Sequence, residues 1–263
     1  MIDEAAALAE HPDKLIRKLQ RQIKTLERRS SQLEGFAETK ERLLKGLMAE
    51  LDEEKRKSES LLRNILPEPI IDRLNRGETL IADRYDDVSV VFSDFEGFTT
   101  ISSRMNPTTL VEHLNAIFLR FDALSLRLGV EKIKTIGDAY LAVAGVPTER
   151  PDHATVCADM ALGMLGALDE ANEAFQTPFH IRIGVATGPV VAGVIGTHKF
   201  AYDVWGDTVN VASRLETTCE PDRIQISGPT AERLGEMFLV EYRGEVELKG
   251  KGSLPTFYLN GRA

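Results

Sequence analysis

The sequence predicts an α+β domain with a ferredoxin-like βαββαβ core, extended at its C-terminus and preceded by a long coiled-coil helix. Two observations lead to this prediction. Between residues 88 and 186, β-branched and aromatic runs alternate with amphipathic stretches in the order strand, helix, strand, strand, helix, strand. Between residues 13 and 66, apolar residues recur every three or four positions without a proline, which is typical of a coiled coil.

The composition indicates a protein that folds around a sizeable core in a reducing compartment. Hydrophobic residues make up 43% of the 263 residues, and the two cysteines, Cys157 and Cys219, form no CxxC pair. We therefore expect a cytoplasmic protein. The sequence has no apolar run long enough to span a membrane, and its net charge of −9 argues against nucleic-acid binding.

The predicted coiled coil covers residues 13–66 and follows a flexible N-terminus at residues 1–12. Over residues 1–64 the positive and negative side chains nearly balance, which favours pairing with a second helix. Packing of the helix against its own domain is the alternative. Polar residues in the apolar seam, such as Ser30 and Glu54, weaken it and suggest that it can switch register. We expect this helix to transmit a signal from an upstream sensor that lies outside the chain.

Residues 67–86 are predicted to couple this helix to the domain that follows at residues 87–263. Pro67 and Pro69 end the coiled coil because proline cannot continue a helix. The residues after them predict a short amphipathic helix that ends at Gly77.

Two aspartates are predicted at strand ends, where a rigid backbone can hold a carboxylate in place. Asp94 follows an apolar run that begins at Val88, and Asp138 lies at the break between two short apolar strands, 131–136 and 139–144. Two such carboxylates on neighbouring strands suit a pair of divalent ions. Turn formation and helix capping are their alternative roles.

Amphipathic helices are predicted on both sides of this pair of strands. They cover residues 106–129 and 152–174, and each has an apolar stripe at helical spacing. A further hairpin is predicted over residues 179–194, with its turn at Thr187-Gly188. The C-terminal additions are a helix at 207–218, a strand at 224–227, a helix at 229–234 and strands near 238–248 and 256–259.

The helix predicted at 207–218 presents a polar face that suggests phosphate binding. Asn210 and Arg214 are four residues apart, so they share one side of the helix. An amide and a guanidinium placed together suit a phosphate or a developing negative charge on oxygen. A solvated polar face is the alternative.

Together these segments resemble the catalytic domain of the class III nucleotidyl cyclases, the adenylyl and guanylyl cyclase family. The resemblance rests on the order and spacing of three runs, VSVVFSDFEGFTTIS, EKIKTIGDAYLAVAG and YDVWGDTVNVASRLE. It extends from about Leu61 to Tyr258. It implies an enzyme in which the 3′-hydroxyl of a nucleoside triphosphate attacks the α-phosphate of the same molecule, and pyrophosphate leaves.

The resemblance implies roles for the aspartates and the polar helical face. Asp94 and Asp138, with the backbone carbonyl of Phe95, are expected to bind two divalent ions, Mg²⁺ or Mn²⁺. Asn210 is expected to orient the ribose. Arg214 is expected to stabilise charge on the α-phosphate.

The resemblance also implies which residues bind the rest of the substrate. Lys134 and Asp203 occupy the two positions with which the family reads the purine base. A lysine donates to adenine N1 and an aspartate accepts from the 6-amino group, whereas guanylyl cyclases carry glutamate and usually cysteine there. The pair therefore predicts ATP as substrate and cyclic AMP as product. Lys251 is expected to hold the terminal phosphates.

Each active site is expected to lie between two chains, as the resemblance implies. This sequence carries both halves of the site, so it predicts a head-to-tail homodimer with two equivalent sites, joined also by the coiled coil. The alternatives are a guanylyl cyclase and a catalytically silent module for nucleotide binding or dimerisation. A diguanylate cyclase is disfavoured because the sequence contains no GG(D/E)EF run.

Overall fold

The computed structural model describes residues 12–175, 178–196, 200–248 and 252–263. The chain divides into two compact units, Met1–Leu61 and Leu62–Ala263. The predicted phosphate-binding residue Lys251 and all but the last residue of the predicted flexible N-terminus lie outside the described residues.

A single long helix, α1, runs from Pro12 to Arg63, close to the bounds that the sequence predicts. Ion pairs one turn apart stabilise it, such as the 2.7 Å contact between Lys45 Nζ and Glu41 Oε1. Its apolar side chains are exposed along its length, with Leu26 62% exposed. None of the helices in the described part of the chain is long and apolar enough to cross a membrane.

The second unit is an α+β domain built on one sheet. Its strands are β1 (Ala82–Phe95), β2 (Glu131–Ile136), β3 (Ala139–Ala144), β4 (Ile181–Ile195), β5 (Ala201–Trp205), β6 (Arg223–Ser227), β7 (Phe238–Leu248) and β8 (Gly252–Arg262). Its helices are α2 (Glu68–Asn75), α3 (Phe98–Arg104), α4 (Pro107–Leu128), α5 (His153–Phe175), α6 (Asp207–Thr218) and α7 (Gly228–Leu234). The strands lie in the order β2-β3-β1-β4-β6-β8-β7, and β5 also pairs with β4.

The predicted βαββαβ core is confirmed, and it consists of β1, α4, β2, β3, α5 and β4. β1 lies at its centre because it pairs antiparallel with both β3 and β4. Successive side chains of a strand point to opposite faces of the sheet. Val91 therefore packs in the core cluster that α4 and α5 cover, whereas Val90 packs in the cluster that includes residues of α2 and α6.

The hairpin predicted over residues 179–194 is wrong. Residues 181–195 form one continuous strand, β4, that passes through Thr187 and Gly188 without turning back. Gly188 makes room for α6, because a Cβ atom at this position would lie 2.8 Å from Thr208 Oγ1. The glycine that suggested a turn therefore reflects a close contact with a helix.

The long strand β4 also extends the sheet toward the N-terminus of the domain. β1 begins at Ala82, where it pairs with Gly193, inside the segment predicted to couple the helix to the domain. One extra residue of β1 between Tyr85 and Val88 shifts the register of the β1–β4 pair. In the same coupling segment, α2 is anchored to the domain by the buried side chains of Ile70 and Ile71.

Helix α6 lies so close to β4 that only glycine fits at position 184. A Cβ atom on Gly184 would lie 2.1 Å from the carbonyl oxygen of Ala212 and 2.4 Å from the backbone nitrogen of Glu216. Both atoms belong to the α6 backbone, which cannot give way as a flexible side chain can.

We expect Gly184→Ala to lower the free energy of unfolding by about 2–3 kcal/mol, because α6 must move away from the sheet. Gly166→Ala is the matched control, since Gly166 is exposed on α5 and a Cβ atom there meets nothing within 4 Å. This control should raise the free energy of unfolding by up to about 1 kcal/mol, the helix propensity difference. Urea unfolding measures both, and similar effects of the two substitutions would contradict the close packing.

Candidate active site

The two predicted metal-binding aspartates lie side by side at one edge of the sheet. Asp94 is the last residue but one of β1, and Asp138 lies in the turn between β2 and β3. The register between β1 and β3 pairs Ser93 with Tyr140. This register brings the two strand ends together, and the Asp94 and Asp138 carboxyl groups lie within hydrogen-bonding reach of each other.

The charges around Asp94 are poorly balanced. Burial, and next the neighbouring Asp138 carboxylate, raise the pKa of Asp94 to about 6. The Arg182 guanidinium opposes this rise only in part, at 3.6 Å from Asp94 Oδ2. Two adjacent carboxylates with so little compensating charge are a favourable place for a divalent cation, which prefers oxygen ligands. The donor set therefore fits the predicted metal ions.

Two carboxylates alone provide few ligands for metal ions, so the predicted backbone carbonyl ligand at Phe95 becomes more important. In the described part of the chain, no cluster of three or more His, Cys, Asp and Glu side chains is placed to hold a metal ion. The Phe95 side chain is 2% exposed, and its ring contacts Phe118 and Phe179 at centroid distances of 6.1 and 5.6 Å. This packing keeps the backbone beside Asp94 rigid, as the predicted carbonyl ligand requires.

Three further predicted residues, Lys134, Asp203 and Asn210, line one open cleft of about 540 Å³. Lys134 Nζ donates to Asp203 Oδ2 at 2.5 Å. The apolar part of the cleft wall includes Phe92, Ile136, Leu141, Val204 and Trp205. Apolar walls with one adjacent donor and acceptor suit a purine ring, whose edge carries complementary groups.

The predicted metal-binding aspartates do not form part of the cleft wall. Neither Asp94 nor Asp138 lines the cleft that contains Lys134 and Asp203, although Phe92 and Ile136, each two residues before one of them, do. Arg214 is partly exposed and lies one turn beyond Asn210 on α6, as their spacing predicts. The described part of the chain therefore contains a carboxylate pair and a cleft that this pair does not line.

Sequence reasoning missed two charged residues beside the carboxylate pair, Arg182 and Glu216. Arg182 Nε donates to Glu216 Oε1 at 3.0 Å, and the Glu216 side chain is only 4% exposed. Burial raises the pKa of Glu216, while Arg182 opposes that rise. The sequence does carry a signal, because Glu216 immediately follows Leu215 on the apolar side of a predicted helix, and a carboxylate there needs a partner.

We expect Asp94→Asn to stabilise the metal-free protein at alkaline pH. The folded-state pKa of about 6 lies above the ordinary value of 3.8, so the carboxyl group stabilises the fold at low pH and loses that contribution as the pH rises through about 6. Since asparagine does not ionise, the free energy of unfolding should exceed that of the wild type by about 1–2 kcal/mol near pH 8, and this difference should shrink near pH 4.

Denaturant unfolding at both pH values measures this difference. Asp159→Asn is the matched control, because Asp159 Oδ2 accepts from Arg262 at 2.5 Å and should gain nothing from neutralisation. A loss of stability in Asp94→Asn at alkaline pH would contradict the charge imbalance.

Known proteins share both the sequence and the fold of this domain. The adenylate and guanylate cyclase catalytic domain family matches residues 80–261. An adenylate cyclase of Mycobacterium tuberculosis is 46% identical over 215 residues, which are 81% of this chain and 48% of that protein. Retinal guanylyl cyclase 2 of Bos taurus is 41% identical over 236 residues, which are 88% of this chain and 21% of that protein. The chain thus spans half the length of these relatives or less.

A solved structure supports the same assignment. The guanylate cyclase domain of RhGC from Catenaria anguillulae, in complex with GTP, aligns with a TM-score of 0.65 and 38% identity. The alignment covers 69% of this chain and all of that domain. The sequence match, the shared fold and the paired carboxylates agree, and the chain belongs to the family of class III adenylate and guanylate cyclase catalytic domains.

Proposed function

We propose that this chain is an adenylyl cyclase that converts ATP to 3′,5′-cyclic AMP and pyrophosphate. The observation that carries the choice of base is the Lys134–Asp203 pair in the cleft. Adenine presents an acceptor at N1 and a donor at its 6-amino group, which match an ammonium and a carboxylate. Guanine in the same orientation presents the opposite pattern, with a donor at N1 facing Lys134 and an acceptor at O6 facing Asp203, so neither side chain would be paired.

Overall similarity does not choose the base, since an adenylate cyclase is 46% identical and a guanylyl cyclase 41% identical to this chain. The Lys134–Asp203 hydrogen bond supports ATP directly. With adenine in the cleft, Lys134 would donate to N1 and Asp203 would accept from the 6-amino group in place of their hydrogen bond to each other, so neither side chain is left unsatisfied. A silent binding module is disfavoured because side chains suited to catalysis occupy every matched position.

The chain's own residues contribute positioning and electrostatics to the reaction. Asn210 orients the ribose so that its 3′-hydroxyl faces the α-phosphate. Arg214 stabilises the negative charge that develops on the α-phosphate oxygens. Lys251 holds the terminal phosphates, which leave as pyrophosphate.

The carboxylate pair completes the site. Asp94, Asp138 and the Phe95 carbonyl form the metal-binding half and bring negative charge to the place where the triphosphate must bind. When bound there, Mg²⁺ or Mn²⁺ ions supply Lewis-acid stabilisation of the reacting oxygens and neutralise phosphate charge.

We further propose that two chains build each active site. A homodimer with twofold symmetry would place the carboxylate pair of one chain against the cleft of the other, and it would do so twice. The exposed apolar residues at the cleft support such a covered surface, because Ile136 is 50% and Trp205 38% exposed in one chain. Two equivalent sites follow from the symmetry.

The N-terminal helix is proposed to pair with a second copy and to regulate the cyclase from an upstream sensor. Its row of exposed apolar side chains supports pairing, and so does the near balance of positive and negative side chains over residues 1–64. Residues 67–86 would then transmit a change in the pairing of the two helices to the catalytic domain, which we propose acts in the cytoplasm. A sensor grafted in successive heptad phases tests this proposal. Activity should depend on the phase, and equal activity in every phase would contradict it.

We expect the purified chain to form cyclic AMP from ATP and to use GTP at least about 10-fold less efficiently, because guanine leaves the cleft pair unpaired. Combining Lys134→Glu with Asp203→Cys should reduce this preference. Lys132→Gln is the matched control on the same strand, since Lys132 Nζ lies 2.6 Å from Asp122 Oδ1 and does not line the cleft. Product chromatography with each nucleotide, with Mg²⁺ and with Mn²⁺, measures the preference. A preference for GTP would overturn the assignment.

We expect inactive Asp94→Ala and inactive Arg214→Ala chains to recover activity when mixed. Random exchange makes half of the dimers mixed, each with one intact site, so about one quarter of the wild-type activity should return. A mixture of Asp94→Ala and Asp138→Ala is the matched control and should recover nothing, because both changes damage the same half of the site. Equal recovery in the two mixtures, or none in the first, would contradict the shared site.

A further inference from the structure

Helix α6 carries charged and polar residues on two nearly opposite sides. Asn210 and Arg214 lie on its outer side, where Asn210 lines the cleft. Glu216 lies about 140° around the helix axis from them, at 100° per residue. Its side chain is 4% exposed and points into the domain. One short helix thus contacts both the cleft and the interior of its own chain.

The buried side of α6 is linked by charge to the carboxylate pair of the same chain. Glu216 Oε1 accepts from Arg182 Nε at 3.0 Å, and its Oε2 accepts from Thr217 Oγ1 at 3.1 Å. Arg182 is the register partner of Asp94 across β1 and β4. A second guanidinium nitrogen lies 3.6 Å from Asp94 Oδ2. Arg182 therefore bridges α6 and the metal-binding end of β1.

The close packing of α6 on β4 means that a shift of the Arg182–Glu216 contact moves the helix as a whole. α6 rests directly on β4 at Gly184, two residues from Arg182, where a Cβ atom would lie 2.1 Å from the Ala212 carbonyl oxygen. Close-packed elements shift as units because they contain little free space. A change in the Arg182–Glu216 contact therefore acts on the whole helix.

We propose that the Arg182–Glu216 ion pair couples the two active sites of the dimer, with Glu216 as a positioning residue. The inference rests on the proposed function, in which Asp94 and Arg214 of one chain serve different sites. With a cation bound to Asp94, Arg182 is repelled from that carboxylate and keeps only Glu216 as its partner. The rearrangement moves α6, and with it the Asn210 and Arg214 side chains that the chain contributes to the other site.

The first test measures Mg²⁺ affinity by calorimetry, without nucleotide. Glu216→Gln keeps the shape of the side chain but removes its charge, so Arg182 turns to Asp94 and competes with the cation. We expect the dissociation constant to rise about 10-fold or more, as for other residues that support metal ligands. Adding Arg182→Gln to Glu216→Gln should restore most of the affinity, because the competing charge is gone. The double variant also keeps the test valid if Glu216→Gln alone folds poorly.

Asp159→Asn, which breaks an ion pair elsewhere in the domain, is the matched control and should leave Mg²⁺ affinity unchanged. Wild-type affinity in Glu216→Gln would overturn the positioning role. Lost affinity that Arg182→Gln does not restore would also overturn it, because the defect would then be structural.

The second test uses Trp205, the only tryptophan of the chain, two residues before α6. In a mixed dimer, one chain keeps Trp205 and Asp94, and the other carries Trp205→Phe and Asp94→Ala. Mg²⁺ then binds only at the Asp94 of the fluorescent chain, whereas Trp205 lies in the other site. We expect saturating Mg²⁺ to change the fluorescence, and we expect Glu216→Gln in the fluorescent chain to abolish that change.

No fluorescence change in the parent mixed dimer, or an unaltered change with Glu216→Gln, would overturn the coupling. Cyclic AMP production by a dimer in which both chains carry only Trp205→Phe tests the proposed function separately, because its two sites differ from the wild type at that cleft residue alone. Cyclic AMP from that dimer without a fluorescence change in the mixed dimer would overturn the coupling alone, and no cyclic AMP from the wild-type chain would count against the proposed function.

Discussion

The contact between α6 and β4 determines how the rest of the candidate site is arranged. At Gly184 and Gly188 the strand has no side chain, so the helix backbone and Thr208 approach the sheet more closely than any Cβ atom would allow. This approach sets the position of α6, which carries Asn210 and Arg214 outward. It also buries Glu216 beside the end of the central strand. The lack of side chains at Gly184 and Gly188 thus sets the positions of several candidate site residues.

The second constraint is electrostatic. The antiparallel pairing of β1 and β3 puts Asp94 and Asp138 at the same edge of the sheet, where burial makes their shared negative charge costly. A structure optimised for stability alone would not keep two such carboxylates together. Sites of this kind persist where a ligand compensates the charge, and here the fitting ligands are divalent cations.

In the described part of the chain the carboxylate pair does not line the cleft, which agrees with the proposal that two chains build each site. Each half has the chemistry that it needs, namely acidic ligands in one place and an apolar cleft with a donor–acceptor pair in the other. Helix α6 carries Asn210 at the cleft, and its Glu216 pairs with Arg182, which lies beside Asp94. The same helix therefore contacts the cleft and the surroundings of the carboxylate pair, as the proposed coupling requires.

The sequence by itself determined the core order of strands and helices, the strand-end position of Asp94, the Asp138 turn and the common face of Asn210 and Arg214. These features follow from local periodicity and spacing, which the chain carries wherever it folds. Only the tertiary structure decided that β4 is continuous. Gly188 is needed for the close contact with Thr208 of α6, which is distant in sequence, and not for a turn between its own neighbours. The structure alone also paired Arg182 with Glu216 across 34 residues, since partners this far apart in sequence meet only when strand and helix pack.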